Sequence, residues 1–357
     1  MHYIAVTGHV PGVSMAYSLR HPLLVCAFAA ALGSAASRAQ INEEVNASPD
    51  PYRLEQNHFK LPDGRRIGST VSVAIDPDGR SVWVFDRCGG DDCVGSSLDP
   101  IMKFDPAGRL LRSFGAGMFV RPHGLHVDAA GNIWVTDDQG PDGKDSRRDG
   151  KGHQVFKFSA DGRLLMTLGT AGVAGEAETQ FNRPSAVFVA PDGSIFVGDG
   201  HGPGSNARVL KFDASGRLIR IWGGRGTAPG EFATPHAFAM DSAGRLFVAD
   251  RENDRIQIFD QDGRFLEAWT QFGRPSGIYI DADDVLYVAD SQSDDMGDLR
   301  PAWKEGIRIG SAVDGRVTAF IADIDADGSQ EGVAVDADGI VYASLTGGMA
   351  LRRYVRR

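Results

Sequence analysis

The sequence predicts an all-β fold, a six-bladed β-propeller, on three observations. Six segments of the form apolar strand, turn, apolar strand recur along the chain, and a second hairpin follows nearly every one of them. Glycine is abundant, 45 of 357 residues, with Asp-Gly and Ala-Gly recurring where short strands would turn. Helical periodicity is almost absent.

The repeats, in order, are "VSVAIDPDGRSVWVFD", "GLHVDAAGNIWVTD", "AVFVAPDGSIFVGD", "AFAMDSAGRLFVAD", "GIYIDADDVLYVAD" and "GVAVDADGIVYASL". Their turn anchors, Asp76, Asp128, Ala190, Asp241, Asp281 and Asp336, are spaced by 52, 62, 51, 40 and 55 residues, which is the size of a blade. The repeated aspartates suit turns, where a carboxylate can accept from nearby amides. The outer hairpins are "IMKFDPAGRLLRSFG", "VFKFSADGRLLMTLG", "VLKFDASGRLIRIWG", "IQIFDQDGRFLEAWT" and "GIRIGSAVDGRVTAFI". Two hairpins make four antiparallel strands, one blade. The sixth outer hairpin is expected from the C-terminal "ALRRYVRR" and the N-terminal "NHFKLPDGRRIGS", so that both chain ends share a blade. Such closure leaves no long edge strand exposed. The propeller is assigned to residues 51–357, with 40–50 as a short linker.

Residues 1–39 read as a signal-peptide region: "SLRHPLLVCAFAAALGSAASRA" has a basic flank at Arg20, an apolar run, and small residues at Ser37 and Ala39 before a cut that would leave Gln40 first. Translation from Met15 would give a segment of ordinary length. Cys26 follows Val25, too bulky for a lipoprotein site. The expectation is a periplasmic or secreted protein with no membrane span after cleavage. Export leaves Cys88 and Cys93, in "RCGGDDC", to form a local disulfide; a metal pair is the alternative, and it lacks further Cys or His nearby.

A formal net charge of −10 argues against nucleic acid or an anionic membrane as partner, since both call for a basic face. A small molecule or a metal is the better expectation, acting on a monomer.

In a propeller, the first strand of each repeat lies innermost, so equivalent positions at its start form a ring around the axis. Five residues before each anchor stand Val71, His123, Ser185, His236, Ser276 and Glu331. Blades two, four and six thus carry His, His and Glu, about 120° apart in a sixfold ring. Two imidazoles and a carboxylate suit Zn²⁺ with an open position, or another divalent transition metal. Packing residues at strand starts are the plain alternative. His126, three residues on from His123, falls on the other side of its strand and reads as structural.

A second ring follows the terminal Asp of the second strands: Arg87, Asp138, Gly200, Arg251 and Ser291. The arginines present planar forks suited to a carboxylate, which points to an anionic small-molecule or peptide-derived substrate; salt bridges to neighbouring blades would also explain them.

The repeats resemble the NHL family. The segments "RPHGLHVDAAGNIWVTDD", "HQVFKF", "VADRENDRIQIF" and "RPSAVFVAPDGSIFVGDGH" are similar, more narrowly, to the peptidyl-α-hydroxyglycine α-amidating lyase group. That resemblance implies a catalytic zinc held by His123 and His236, active-site arginines at Arg87 and Arg251, and His201 standing where the family has a catalytic tyrosine. The family's third zinc histidine and following aspartate correspond to Glu331 and Gly332, so Glu331 becomes the third ligand and the family's structural calcium is not expected. The implied activity is cleavage of an N–C(OH) bond to an amide and glyoxylate, with Arg87, His201 and Arg251 as catalytic residues. A metal-dependent lactonase or ester hydrolase, and a non-catalytic ligand-binding module, are the competing readings, because this architecture hosts all three.

Overall fold

The computed structural model of the protein describes residues 46–293, 303–323 and 329–357. Residues 1–39, read above as a signal-peptide region with Cys26 and a start at Met15, lie outside the described residues, as do positions 40–45 of the expected linker.

The described residues form six four-stranded antiparallel sheets with almost no helix. The innermost strands are Thr70–Ile75, Pro122–Val127, Pro184–Val189, Pro235–Met240, Pro275–Ile280 and Gln330–Val335. Each packs against the innermost strand of both neighbours, which closes the ring. Apolar clusters fill the space between blades: Trp83, Phe85, Ile133 and Phe158, all fully buried, join blades one and two. Burying a side chain of this size stabilises by about 1.5–3 kcal/mol.

The two chain ends share blade six, as the repeat count requires, but through a different segment. Ala350–Arg356 pairs with Tyr52–Glu55, in register from Tyr52↔Arg356 to Glu55↔Arg353. The segment 57–69 is irregular instead. Pro62 has no N–H to give a ladder, and Gly64 takes a positive φ of 80° in the turn that Arg65 N–H closes onto the Pro62 carbonyl. Phe59, Leu61 and Ile67 from this stretch cover the seam between blades one and six, against Val82, Phe104 and Tyr342. "YRLE" alternates as a strand should, with Tyr52 buried and Arg53 exposed.

Two sets of aspartates fix the blades. Asp128 shows the turn anchor: its Oδ1 accepts from Ala130 and Asn132 amides at 3.0 and 2.9 Å, and its Oδ2 from Trp134 Nε1 at 3.0 Å. The terminal aspartates instead pin the lead-in to the innermost strand of their own blade. Asp137 accepts from Val120 and Arg121 amides at 2.9 and 2.6 Å, and Asp250 from the Ala233 amide at 2.9 Å.

Cys88 and Cys93 are joined in a disulfide, with Cα atoms 5.2 Å apart. This closes the loop that follows Arg87 and removes the metal-pair alternative.

Candidate metal centre

Every innermost strand carries a β-bulge at its start, and the six ring positions are the bulged residues. Pairing skips from Thr70 to Ser72, Pro122 to Leu125, Pro184 to Ala186, Pro235 to Ala237, Pro275 to Gly277 and Gln330 to Gly332. A bulge leaves its extra residue outside the ladder and re-aims its side chain. Val71, His123, Ser185, His236, Ser276 and Glu331 are all buried, on the walls of an axial cavity of about 360 Å³.

The histidines are held in one tautomer. His123 Nδ1 lies 2.7 Å from the Ser185 carbonyl, and His236 Nδ1 lies 2.7 Å from the Ser276 carbonyl. A carbonyl only accepts, so Nδ1 carries the proton in both rings and each Nε2 keeps its lone pair. Both Nε2 atoms lie near Glu331, whose Oε1 stands 3.7 Å from His123 Nε2 and 3.2 Å from His236 Nε2. His123 Nε2 is buried and has no hydrogen-bond partner among the described residues. An orphaned imidazole lone pair beside a second imidazole and a carboxylate fits a divalent cation, and the backbone carbonyls behind the rings are the outer supports that such ligands use.

His201 joins the same cluster: the donor atoms of His123, His201, His236 and Glu331 all lie within 4.8 Å of one another. It stands two residues beyond Asp199, the last residue of its strand. Gly200 between them has φ 143°, and a Cβ there would collide with the Asn206 carbonyl. Only glycine turns the chain tightly enough to bring His201 over the axis. Its Nδ1 faces Asp138 Oδ2 at 3.4 Å and Arg183 NH2 at 3.0 Å, and its Nε2 faces Arg251 at 3.4 Å.

Burial, reinforced by the neighbouring His236, holds His123 well below the usual imidazole range. Burial likewise depresses His201, helped by His123 and Arg251. Burial alone would raise Glu331, but the opposing pull of the Arg251 guanidinium holds it well below the usual carboxylate range. The cluster is therefore two or more neutral imidazoles and an ionised carboxylate, the protonation states that bind a metal.

Both ring arginines are here, in different situations. Arg251 NH1 donates to His236 Nε2 at 2.9 Å and stands 3.4 Å from Glu331 Oε1, while NH2 meets Glu252 at 3.0 Å. Arg87 is buried beside the site, its Nε donating to the Pro122 carbonyl at 3.1 Å. Burial first, then repulsion from Arg121, brings its pKa down to about 10. His126 keeps out of the cluster, with its ring 4.7 Å from Phe188.

The sequence reading missed Arg121, Arg183, Arg274, Asp138 and Glu252 as site residues. Arg121 and Arg183 meet on Asp138 Oδ2 at 3.0 and 3.4 Å, and Arg274 lies 3.5 Å from Glu252. The signal was present: the residue two before the ring position reads Ser69, Arg121, Arg183, Thr234, Arg274 and Ser329.

Residues 232–259 match the NHL repeat family. The chain is 34% identical over 224 residues to NHL repeat-containing protein 3 of Homo sapiens, covering 61% of this chain and 59% of that protein. It is 39% identical over 155 residues to a probable peptidyl-alpha-hydroxyglycine alpha-amidating lyase of Caenorhabditis elegans, covering 42% and 40% of the two chains. The chain thus spans about three fifths of the NHL repeat-containing relative (59%) and two fifths of the lyase relative (40%). Among solved structures, a gluconolactonase from Xanthomonas campestris superposes with a TM-score of 0.57 at 16% identity, over 86% of this chain and 95% of that one, a likeness of fold alone.

Proposed function

We propose that the protein is an exported, metal-dependent carbon–nitrogen lyase that cleaves the N–C(OH) bond of an α-hydroxyglycine-type substrate to an amide and glyoxylate. The observation that carries this reading is the convergence of His123, His236 and Glu331 on one point of the axis, with both imidazole tautomers set by backbone carbonyls. The similarity to amidating lyases supports the reaction type. Export rests on the N-terminal pattern and agrees with the Cys88–Cys93 disulfide.

His123, His236 and Glu331 would hold the metal, with zinc the best match to the donors. When bound, such a cation supplies Lewis acidity, lowering the pKa of a coordinated hydroxyl. The protein's own groups do the rest. Arg87 and Arg251 hold the substrate carboxylate, Arg251 with NH1 at His236 and NH2 at His201. His201, neutral because of its burial, accepts the hydroxyl proton and returns it to the nitrogen as the C–N bond breaks with its electron pair on nitrogen. The hydroxyl carbon becomes the aldehyde carbon of glyoxylate, so no oxidant or water is consumed. Arg183 NH2 and Asp138 Oδ2, 3.0 and 3.4 Å from His201 Nδ1, orient the ring.

The test is metal analysis of the purified protein together with glyoxylate release from a panel of N-acyl-α-hydroxyglycines. A metal-loaded protein that releases none from any of them is not this enzyme. Turnover of lactones alone would assign a hydrolase, and tight metal binding without turnover a binding module.

A further inference from the structure

The cationic side of the site is larger than one carboxylate requires. Arg87, Arg121, Arg183, Arg251 and Arg274 come from blades one to five and lie along a connected arc. Arg87 donates to the carbonyl of Pro122, the residue after Arg121. Arg121 and Arg183 meet on Asp138 Oδ2. Arg183 reaches His201, His201 reaches Arg251, and Arg251 shares Glu252 Oε1 with Arg274. In the middle of the arc the one carboxylate Asp138 serves two guanidinium groups, those of Arg121 and Arg183. A monocarboxylate held by Arg87 and Arg251 leaves Arg121 and Arg183 without a second anion.

The middle of the arc shows where the surplus donors are. A guanidinium offers five N–H groups. Arg121 and Arg183 both use one oxygen of Asp138, a residue with no exposed surface. Arg183 Nε is buried without a hydrogen-bond partner, and so is Asp138 Oδ1. Burying the Arg183 Nε donor unpaired is costly, and an incoming oxyanion that accepts from it between the two forks would relieve that cost. Both side chains remain partly open, at 22% and 26% exposure, so a ligand can reach them.

We infer that Arg121 and Arg183 form a second oxyanion subsite beside the Arg87 and Arg251 clamp, so that the substrate carries two anionic groups. The inference rests on the function proposed above and narrows its substrate class to dianions. The second group is a carboxylate or a phosphate, since the forks suit both.

Titration calorimetry on the purified full-length protein tests it, with glycolate as the probe bearing one carboxylate, malate and 2-hydroxyglutarate bearing two, and phosphoglycolate bearing a carboxylate and a phosphate. At least one dianion is expected to bind about tenfold or more tightly than glycolate, the worth of one or two charge-assisted hydrogen bonds. Which dianion leads identifies the second group. In an Arg121→Gln/Arg183→Gln double variant the preference should collapse to about onefold. Should that variant fold poorly, Arg183→Lys keeps a cation against Asp138 but removes the Nε donor, and the preference should again fall. Equal binding of glycolate and all dianions, or a preference that survives both changes, overturns the subsite while leaving the lyase reading standing. Failure of every probe, glycolate included, overturns the Arg87 and Arg251 clamp as well.

Discussion

The Arg251 guanidinium donates to His236 Nε2 at 2.9 Å and stands 3.4 Å from both Glu331 Oε1 and His201 Nε2. It sits on the lone pairs that a divalent cation would need, so cation and guanidinium compete for them. Arg251→Ala is therefore expected to raise metal affinity about tenfold, while removal of a carboxylate contact lowers kcat/KM by about tenfold or more. Chelator competition and steady-state kinetics read the two effects separately. Arg87→Ala, whose parent side chain bonds the Pro122 carbonyl instead, should lower catalysis with a smaller change in affinity. Equal gains in affinity for the two variants would mean that only general charge repulsion operates.

The ligand set makes a prediction of its own. His123→Ala, His236→Ala and Glu331→Ala should each weaken metal binding beyond the about 10–100-fold that loss of an outer support costs. Glu331→His should retain the metal, because the site would then hold three neutral imidazoles, and with less of the cation's charge cancelled the metal would be the stronger Lewis acid. Metal content after dialysis decides, and a full complement in all three alanine variants would remove these residues as ligands.

The propeller was legible because blade repeats carry their turn aspartates and strand starts at matching offsets, and the ring at His123, His236 and Glu331 follows from those offsets alone. What the offsets hide is the bulge that turns those residues toward the axis, since pairing is invisible in a single strand. His201 lies in a loop beyond a strand end, outside any ring offset, and only resemblance singled it out. Asp138 fell in a ring position, yet its role depends on Arg121 and Arg183 from two different blades. Tyr52–Glu55 is four residues long, too short to register as a repeat, so the closing strand was placed a few residues late.

His126 gives a pH dependence whose sign is fixed. Burial pulls its pKa down to about 4 from an ordinary 6.5, against the opposing pull of Asp128. Above pH 6.5 the ring is neutral in folded and unfolded chains alike. As pH falls from 6.5 to about 4 the unfolded chain takes up a proton that the folded chain refuses, and stability drops. His126→Gln abolishes that loss. Melting temperatures of parent and variant should therefore diverge in the variant's favour across this window, relative to their difference at pH about 7.5. A difference that stays constant with pH would show that His126 titrates normally in the folded protein.

Gly200 ties the fold to the chemistry. With φ at 143° and the Asn206 carbonyl where a Cβ would go, Gly200→Ala must shift the backbone that carries His201. The strain should cost about 1–3 kcal/mol of stability, measured by denaturant unfolding. The displaced imidazole would lose its place between Asp138 and Arg251, so kcat should fall further than a stability loss of that size can explain in a protein still fully folded at assay temperature. His123, His236 and Glu331 are set by bulges in other blades and should keep their geometry, so metal content is expected to hold. Loss of kcat with metal retained is the signature of a proton-moving His201. Loss of metal in step with kcat would instead make His201 part of the ligand set, and an unchanged kcat would remove it from the chemistry altogether.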